Sequence, residues 1–282
     1  MPPEAPHSAS PLPAPAPPRA GSSLYYAWRT SPLQTRASLA TLLAWHHEVG
    51  RIARGASDPS VAQAKLAWWR QEAQALAAGT AQHPLFLHLQ GTASASQLQA
   101  LAARLTGFVA GCERDAQQTR LLDEAAIMSH ASETGGNLCE AACILLMPNA
   151  STEILAWARA QGMGSRLAHI VRALGRDARA GWLLVPVNDL QEADIKAHEL
   201  LRPAPQLLTD PRYQTLMQRQ TARARPMLQE PAPRSASLRG LRVFSALARA
   251  LLAELERQHH PEAQRFVALT PLRKAWIAWR TR

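Results

Sequence analysis

Residues 162–186 read GMGSRLAHIVRALGRDARAGWLLVP, and they carry much of the information about the fold. Ser151 or Thr152 is placed to cap a helix over residues 153–174, which includes the first half of this stretch. Alanine and leucine dominate the chain, and β-branched residues are sparse. Unbranched side chains lose little rotamer freedom in a helix, so this composition favours helix over strand. We predict an all-α protein, in which only residues 182–185 suggest a strand.

Local signals place the other helices. Asp58 and Pro59 are typical of the N-cap and first position of a helix, which we expect to end near Gly79. Thr270 and Pro271 begin a terminal segment in the same way. Apolar residues at helical spacing predict further helices over residues 33–54, 96–110, 115–146 with an interruption at Gly135 and Gly136, 186–200, 209–225 and 238–258.

The N-terminal region differs from the rest in composition. Residues 1–21 contain so many prolines that they cannot form a helix, and we predict a disordered arm there. From residue 22 onward the helical pattern is nearly continuous, and no internal repeat interrupts it. We therefore expect a single helical domain over residues 22–282.

The charge balance suggests an anionic partner. The formal net charge is +10, from 31 Lys and Arg against 21 Asp and Glu. Such a surplus suits phosphorylated small molecules, acidic lipid headgroups or nucleic acid. The chain has neither RNP aromatics nor the Cys/His spacing of a zinc finger, so we do not expect a nucleic-acid partner. An Arg-rich composition also arises from a GC-rich genome, and this alternative stays open.

Three cysteines are too few for a disulfide framework and favour a reducing compartment. No apolar run approaches the roughly 20 residues that span a bilayer. The N-terminus lacks the hydrophobic stretch of a signal peptide. We expect a cytoplasmic location, with peripheral contact at the inner face of the membrane as an alternative.

Four blocks carry a family resemblance: residues 22–27 (SSLYYA), 57–71 (SDPSVAQAKLAWWRQ), 162–186 and 269–280 (LTPLRKAWIAWR). They resemble the squalene/phytoene synthase family, which condenses two prenyl diphosphates head to head. Within it they are most similar to the presqualene diphosphate synthases of hopanoid biosynthesis. The resemblance extends over about residues 22–282. It implies the isoprenoid synthase fold, a single-domain helical bundle around a central apolar cavity.

The family's chemistry depends on two Asp-x-x-x-Asp motifs on facing helices, where residues i and i+4 share one helical face. Their carboxylates bind Mg²⁺, which prefers hard oxygen ligands and stabilises the departing diphosphate. At the first motif this chain reads HEVGRIAR over residues 47–54, with Gly50 and Arg54 at the two acidic positions. Both carboxylates are therefore missing there.

The second motif is also incomplete. Residues 169–177 read HIVRALGRD, with Ala173 and Asp177 at the acidic positions. Of the four carboxylates that the resemblance implies, only Asp177 remains, which is insufficient for a Mg²⁺ cluster. We therefore expect no cofactor, or Mg²⁺ if the protein is active.

The basic residues around both motifs are candidates for binding a diphosphate directly, because guanidinium forks match phosphate oxygens. The alternative is that these arginines only solvate helix faces. Arg166 and Arg179 add to the cationic set. With the family's Ser-Phe-Tyr start, the resemblance implies the following ligand-binding candidates: Ser23, Tyr26, His47, Arg51, Arg54, His169, Arg172 and Arg176.

Three functions are compatible with this pattern. The first is a catalytically impaired or inactive homologue that binds an isoprenoid, a prenyl diphosphate or a protein partner. The second is an active prenyl transferase of the presqualene diphosphate or squalene synthase type. The third is an interaction protein similar to the family's respiratory complex I assembly factors. Residues 130–138 (HASETGGNL) resemble the Tyr-Ala-Glu-x-Thr stretch of those factors.

Two other features allow alternatives. His46 and His47 are adjacent, so on a helix they point about 100° apart and cannot chelate one metal together. Leu272, Trp276 and Trp279 lie beside basic residues, which suits a membrane interface. Their spacing of four and three suits the helical core equally, and we favour the core.

Overall fold

A computed structural model describes residues 15–55, 58–229 and 231–281 of the chain, and these residues form an all-α fold. Short 3-10 turns join some of the helices, and the described residues contain no strand. The predicted arm lies mostly outside the described residues, and residues 15–22 have no regular secondary structure. The helices are α1 (Ser23–Thr30), α2 (Arg36–Gly55), α3 (Pro59–Ala77), α4 (Pro84–Thr92), α5 (Ala95–Ala116), α6 (Glu124–Ala131), α7 (Asn137–Leu146), α8 (Thr152–Arg179), α9 (Val187–Glu192), α10 (Ala197–Leu201), α11 (Pro211–Gln229), α12 (Arg239–Arg257) and α13 (Pro271–Arg280).

Several helices begin at polar caps that the sequence predicts. The Asp58 carboxylate accepts the Ser60 amide at 2.8 Å, and Pro59 is the first residue of α3. Ser151, and not Thr152, caps α8, and Thr270 caps α13. Each cap accepts one of the amide hydrogens that the first turn of a helix leaves unpaired.

The prediction of a helix over residues 115–146 is wrong at its start. Residues 117–123 form a loop, where Gln118 adopts a left-handed backbone (φ 51°). The predicted interruption at Gly135 and Gly136 takes the form of a π-helical turn, Ser132–Gly136, which connects α6 to α7. Glycine serves close packing here: a Cβ atom on Gly135 would lie 2.3 Å from the carbonyl oxygen of Gly162 on α8.

Other predicted boundaries also move. The segment 186–200 divides into α9 and α10, because Asp194 between them adopts a left-handed backbone (φ 50°). Helix α11 continues through Pro226 to Gln229, and α8 ends five residues beyond the predicted boundary. Residues 182–185 form no strand.

The long helix α8 lies at the centre of the molecule and contributes to two apolar cores. One core joins α2, α3, α5 and α7, where the buried Trp45 ring packs near Trp69, Phe86 and Phe108. The other joins the second half of α8 to α11 and α12. A cavity remains between these cores. No helix among the described residues combines the length and the apolar character that a membrane crossing requires.

Helix α13 overturns one prediction about the core. Leu272, Trp276 and Trp279 are exposed by 84%, 53% and 71%, so they do not close the apolar interior. The opposite face of α13 packs inward instead, with Ala278 buried and Ile277 against a small cluster from α12. The spacing indicated one helical face correctly, but spacing alone cannot distinguish an inward face from an outward one.

Candidate functional site

A cavity of about 760 Å³ lies between α2, α5, α7, α8 and α12, and reaches the start of α13. Part of its lining is apolar and includes Phe108, Leu138, Cys139 and Phe244. Burial raises the pKa of the Cys139 thiol to about 12, so this group stays protonated and behaves as an apolar wall. The apolar part can hold a hydrocarbon.

The rest of the lining is strongly cationic. Two carboxylates, Asp115 and Asp177, face six basic side chains, which leaves an excess of four positive charges. Arg51 and Arg176 are exposed, so the cationic part reaches the opening of the cavity. The six basic residues are Arg51, Arg54, Arg166, Arg172, Arg176 and Lys274.

The Asp177 carboxylate forms ion pairs with two guanidinium groups. Arg54 Nη1 on α2 donates to Asp177 Oδ2 at 2.8 Å, across 123 residues of sequence. Arg176 approaches the other oxygen, Oδ1, with Nε at 2.9 Å and Nη2 at 2.8 Å. The Arg54 guanidinium also lies 5.5 Å from the centre of the Trp182 ring. An arginine therefore bridges α2 and α8 at the aspartate.

Some donors in the lining have no acceptor among the described residues. These buried atoms are Arg54 Nη2, Arg172 Nε and Ser165 Oγ. The Arg172 guanidinium lies 4.9 Å from the centre of the Phe266 ring. Burial and the nearby Arg176 lower the pKa of Arg172 to about 10, so it remains cationic at neutral pH. An anionic ligand within hydrogen-bond distance of these atoms would supply the missing acceptors.

A buried polar network lies beside the charged lining. His130 Nε2 and Asp115 Oδ1 are 2.9 Å apart, and Arg166 Nε donates to Thr134 Oγ1 at 3.2 Å. Burial alone would raise the pKa of Asp115, but the hydrogen bond with His130 and the charge of Arg166 bring it below its usual value. Asp115 is therefore ionised, and it offsets part of the charge of Arg166.

Comparison of the whole chain with sequence profiles of known families identifies its family. The profile described as squalene/phytoene synthase matches residues 18–274. The chain belongs to the squalene/phytoene synthase family. No curated protein sequence matches it significantly.

Solved structures share the fold of this squalene/phytoene synthase family member. A dehydrosqualene synthase in complex with ligand superposes with a TM-score of 0.72 at 16% identity, over 92% of this chain and 90% of that one. The squalene synthase HpnC from Alicyclobacillus acidocaldarius gives 0.66 at 18% identity, over 83% and 88%. YisP from Bacillus subtilis gives 0.63 at 15% identity, over 90% and 87%. The chain therefore has the isoprenoid synthase fold.

The residues at the acidic positions of this family do not fit a Mg²⁺ cluster. Gly50 and Ala173 offer no side-chain oxygen, and the oxygens of Asp177 are held by Arg54 and Arg176. Mg²⁺ needs oxygen ligands in an octahedral arrangement, and a guanidinium repels it. In the described part of the chain, no group of three His, Cys, Asp or Glu side chains is arranged to hold a metal ion.

The structure brings most of the sequence-predicted residues together. Tyr26 lies outside the lining, because its hydroxyl donates to the Pro271 carbonyl of α13 at 3.1 Å. Ala173 is buried beside the lining, and Arg179 donates to the Ala263 carbonyl at 3.3 Å. The residues that do line the cavity are Ser23, His47, Gly50, Arg51, Arg54, His169, Arg172, Arg176 and Asp177.

Several parts of the site could not be predicted from the sequence. Lys274 faces the cavity from α13, and His46 does so from α2. The pair of Asp115 and His130 was also missed, because a loop separates α5 from α6 where one helix was predicted. Their spacing of 15 residues contains no signal for a contact.

Two histidines of the lining should make stability depend on pH. Burial is the largest cause that lowers the pKa of His46 to about 4, and it lowers that of His169 to about 3. In the unfolded chain both would titrate near 6.5, so the unfolded state binds more protons below that pH. We expect the free energy of unfolding to fall as pH drops from 6.5 to 4, by up to about 1.4 kcal/mol per pH unit for each histidine.

Urea unfolding at pH 7, 6 and 5 would measure this dependence. The double variant His46→Gln, His169→Asn removes both titrating groups and keeps polar side chains of similar reach. Its free energy of unfolding should change less over the same range. An equal slope in the two proteins would contradict the assignment of the pH dependence to these rings.

Proposed function

We propose that this protein binds a prenyl diphosphate in its cavity and does not ionise it by the Mg²⁺-dependent route of its family. The observation that carries the proposal is the bridge from Arg54 to Asp177, in which a guanidinium stands where the family places carboxylates and metal. The matched family comprises squalene and phytoene synthases, and the solved relatives include a dehydrosqualene synthase with a bound ligand. Family membership thus supports the ligand class.

The charged lining suits the diphosphate. Its excess of four positive charges is of the size needed to balance an ionised diphosphate ester. Arg51, Arg172 and Lys274 have no ion-pair partner among the described residues, so their charge is available to a ligand. Guanidinium forks bind phosphate oxygens in pairs, and a lysine adds a point charge.

The apolar lining suits the hydrocarbon chain. Phe108, Leu138 and Phe244 provide a wall continuous with the charged residues. A volume of about 760 Å³ is within the range of pockets that hold small molecules. His46 and His169 are neutral at physiological pH, because both pKa values lie far below 7. They therefore add polarity beside the chain without adding charge.

The same lining is the reason why we expect weak or absent catalysis. Ionisation of an allylic C–O bond leaves a diphosphate whose developing charge must be compensated as the bond breaks. In this site Arg54 and Arg176 are already committed to Asp177, and positions 50 and 173 supply no metal ligand. The remaining cations bind the diphosphate about equally in the intact substrate and while it departs. Equal binding of the two states lowers the activation barrier of C–O cleavage little.

Calorimetry with farnesyl diphosphate in EDTA tests the proposal. We expect binding with a dissociation constant of order 1 µM, because two or three charge-assisted contacts add to burial of the chain. Addition of Mg²⁺ should leave the affinity unchanged or lower it by masking the diphosphate. Farnesol and inorganic diphosphate, as matched half-ligands, should each bind more weakly.

A product assay distinguishes binding from turnover. Incubation with farnesyl diphosphate, Mg²⁺ and NADPH should yield no C30 product. Turnover near that of an ordinary synthase would refute the proposal and support the alternative hypothesis of an active prenyl transferase. Binding that appears only with Mg²⁺ would refute the metal-independent mode.

A further inference from the structure

Helix α13 presents an apolar face to solvent. Leu272, Trp276 and Trp279 are spaced by four and three residues, so they lie on one side of the helix. All three are exposed by more than half. Isolated exposed apolar residues are ordinary, but a contiguous group of large ones marks an interaction surface.

This face is held in place from behind. Ala278 is buried, and Arg239 donates to the carbonyls of Ala278 at 3.2 Å and Thr281 at 3.0 Å. Lys274 Nζ donates to the Gly21 carbonyl at 3.0 Å near the start of the helix. The inner side of α13 is thus fixed to α12 and to the approach to α1, so its outer side is presented rigidly.

The charges on α13 indicate which kind of partner would bind its exposed face. The helix contains Arg273, Lys274 and Arg280 and no acidic residue. Arg273 pairs with Glu254, whereas the Arg280 guanidinium lies 5.2 Å from the centre of the Trp276 ring. Tryptophan beside arginine suits the boundary between headgroups and acyl chains, and the net charge of +10 attracts anionic headgroups.

We propose that α13 is a docking surface for an anionic lipid bilayer. The three exposed apolar side chains enter the headgroup region, and the exposed Arg280 beside Trp276 contacts the lipid phosphates. Binding of this kind is peripheral and reversible, because a single ten-residue helix buries little apolar area. The docking surface does not depend on which ligand the cavity takes.

Helix α13 lies next to the opening of the cavity. Lys274 lines the cavity, and the half-exposed Phe266, just before α13, lies against Arg172 and Arg176 at its opening. A bilayer against α13 would therefore lie beside the opening. An amphiphilic ligand could then pass between membrane and cavity with little exposure of its hydrocarbon to water.

Vesicle sedimentation with the full chain tests the docking. The probes are vesicles of phosphatidylcholine alone and vesicles that contain phosphatidylglycerol as well. We expect binding to the anionic vesicles that weakens in high salt. The double variant Trp276→Ala, Trp279→Ala should lower the partition coefficient by about tenfold or more, because it removes most of the apolar area.

Trp68→Ala is the matched control, since Trp68 is 45% exposed on α3, outside the proposed surface. It should bind vesicles like the parent protein. Equal binding by the double variant, or equal binding to both kinds of vesicle, would overturn the proposal. So would a dimer in light scattering that the double variant dissociates, combined with no vesicle binding, because α13 would then serve self-association.

Discussion

Replacing Arg51 and Arg172 together with glutamine should weaken the binding of farnesyl diphosphate by about 100-fold or more. Both side chains line the cavity, and neither has an ion-pair partner among the described residues. A hydrogen bond to a charged group contributes about 1.5–3 kcal/mol, so loss of two costs about 3–6 kcal/mol. Each 1.4 kcal/mol corresponds to a factor of ten in affinity. Calorimetry in EDTA measures the change.

Arg179→Gln provides the control for this experiment. Arg179 lies on the same helix as Arg172, but it donates to the Ala263 carbonyl and does not line the cavity. Its replacement should leave the affinity within about twofold of the parent, apart from a small long-range effect of charge. If the two variants lose equal affinity, the ligand responds to net charge and not to the lining. If neither loses affinity, the diphosphate does not bind there.

The fold follows from local signals that the sequence displays. Asp58, Ser151 and Thr270 cap helices where their positions predict, because a cap depends only on a residue and the turn after it. The loop at 117–123 and the π-helical turn were not predictable in this way. Within this turn, glycine is required at position 135 because the backbone of Gly162 packs against it, and this is a tertiary contact.

The site was predictable only as a set of residue types. The loss of carboxylates at Gly50, Arg54 and Ala173 is visible in the chain itself. The contact of Arg54 with Asp177 is not, because 123 residues separate the two and only the packing of α2 beside α8 brings them together. Likewise, the spacing of Trp276 and Trp279 predicts a shared face, but its outward direction depends on how Ala278 docks.

The bridge between Arg54 and Asp177 also explains how the fold tolerates the change in its motifs. A single buried aspartate without metal would be costly, since an ionised carboxylate in the interior requires a partner. Arg54 and Arg176 supply that partner at 2.8 Å each. The two guanidinium groups therefore neutralise the carboxylate, and in our proposal they do so without the open coordination positions through which a metal accepts developing negative charge.

Restoring acids at positions 50 and 54 should create a Mg²⁺ site. The variant Gly50→Asp, Arg54→Asp places two carboxylates at i and i+4 on α2, opposite Asp177. A Cβ atom is accommodated at position 50, where it would lie 4.0 Å from Phe108 Cζ. Without metal the clustered acids repel each other, so the variant should be less stable than the parent. At 100 times the dissociation constant, Mg²⁺ should then stabilise it by about 2.7 kcal/mol.

Thermal unfolding with and without Mg²⁺ measures this gain, which corresponds to a rise in Tm of about 5 °C or more. Gly50→Asn, Arg54→Asn is the matched control, because asparagine has nearly the shape of aspartate and no charge. It should show no Mg²⁺ dependence, and neither should the parent. A parent that Mg²⁺ stabilises equally would mean that the natural lining already holds the metal, and the bridge to Asp177 would then have to open when metal binds. A folded acidic variant without any Mg²⁺ response would mean that Arg176, which still contacts Asp177, is enough to exclude the ion.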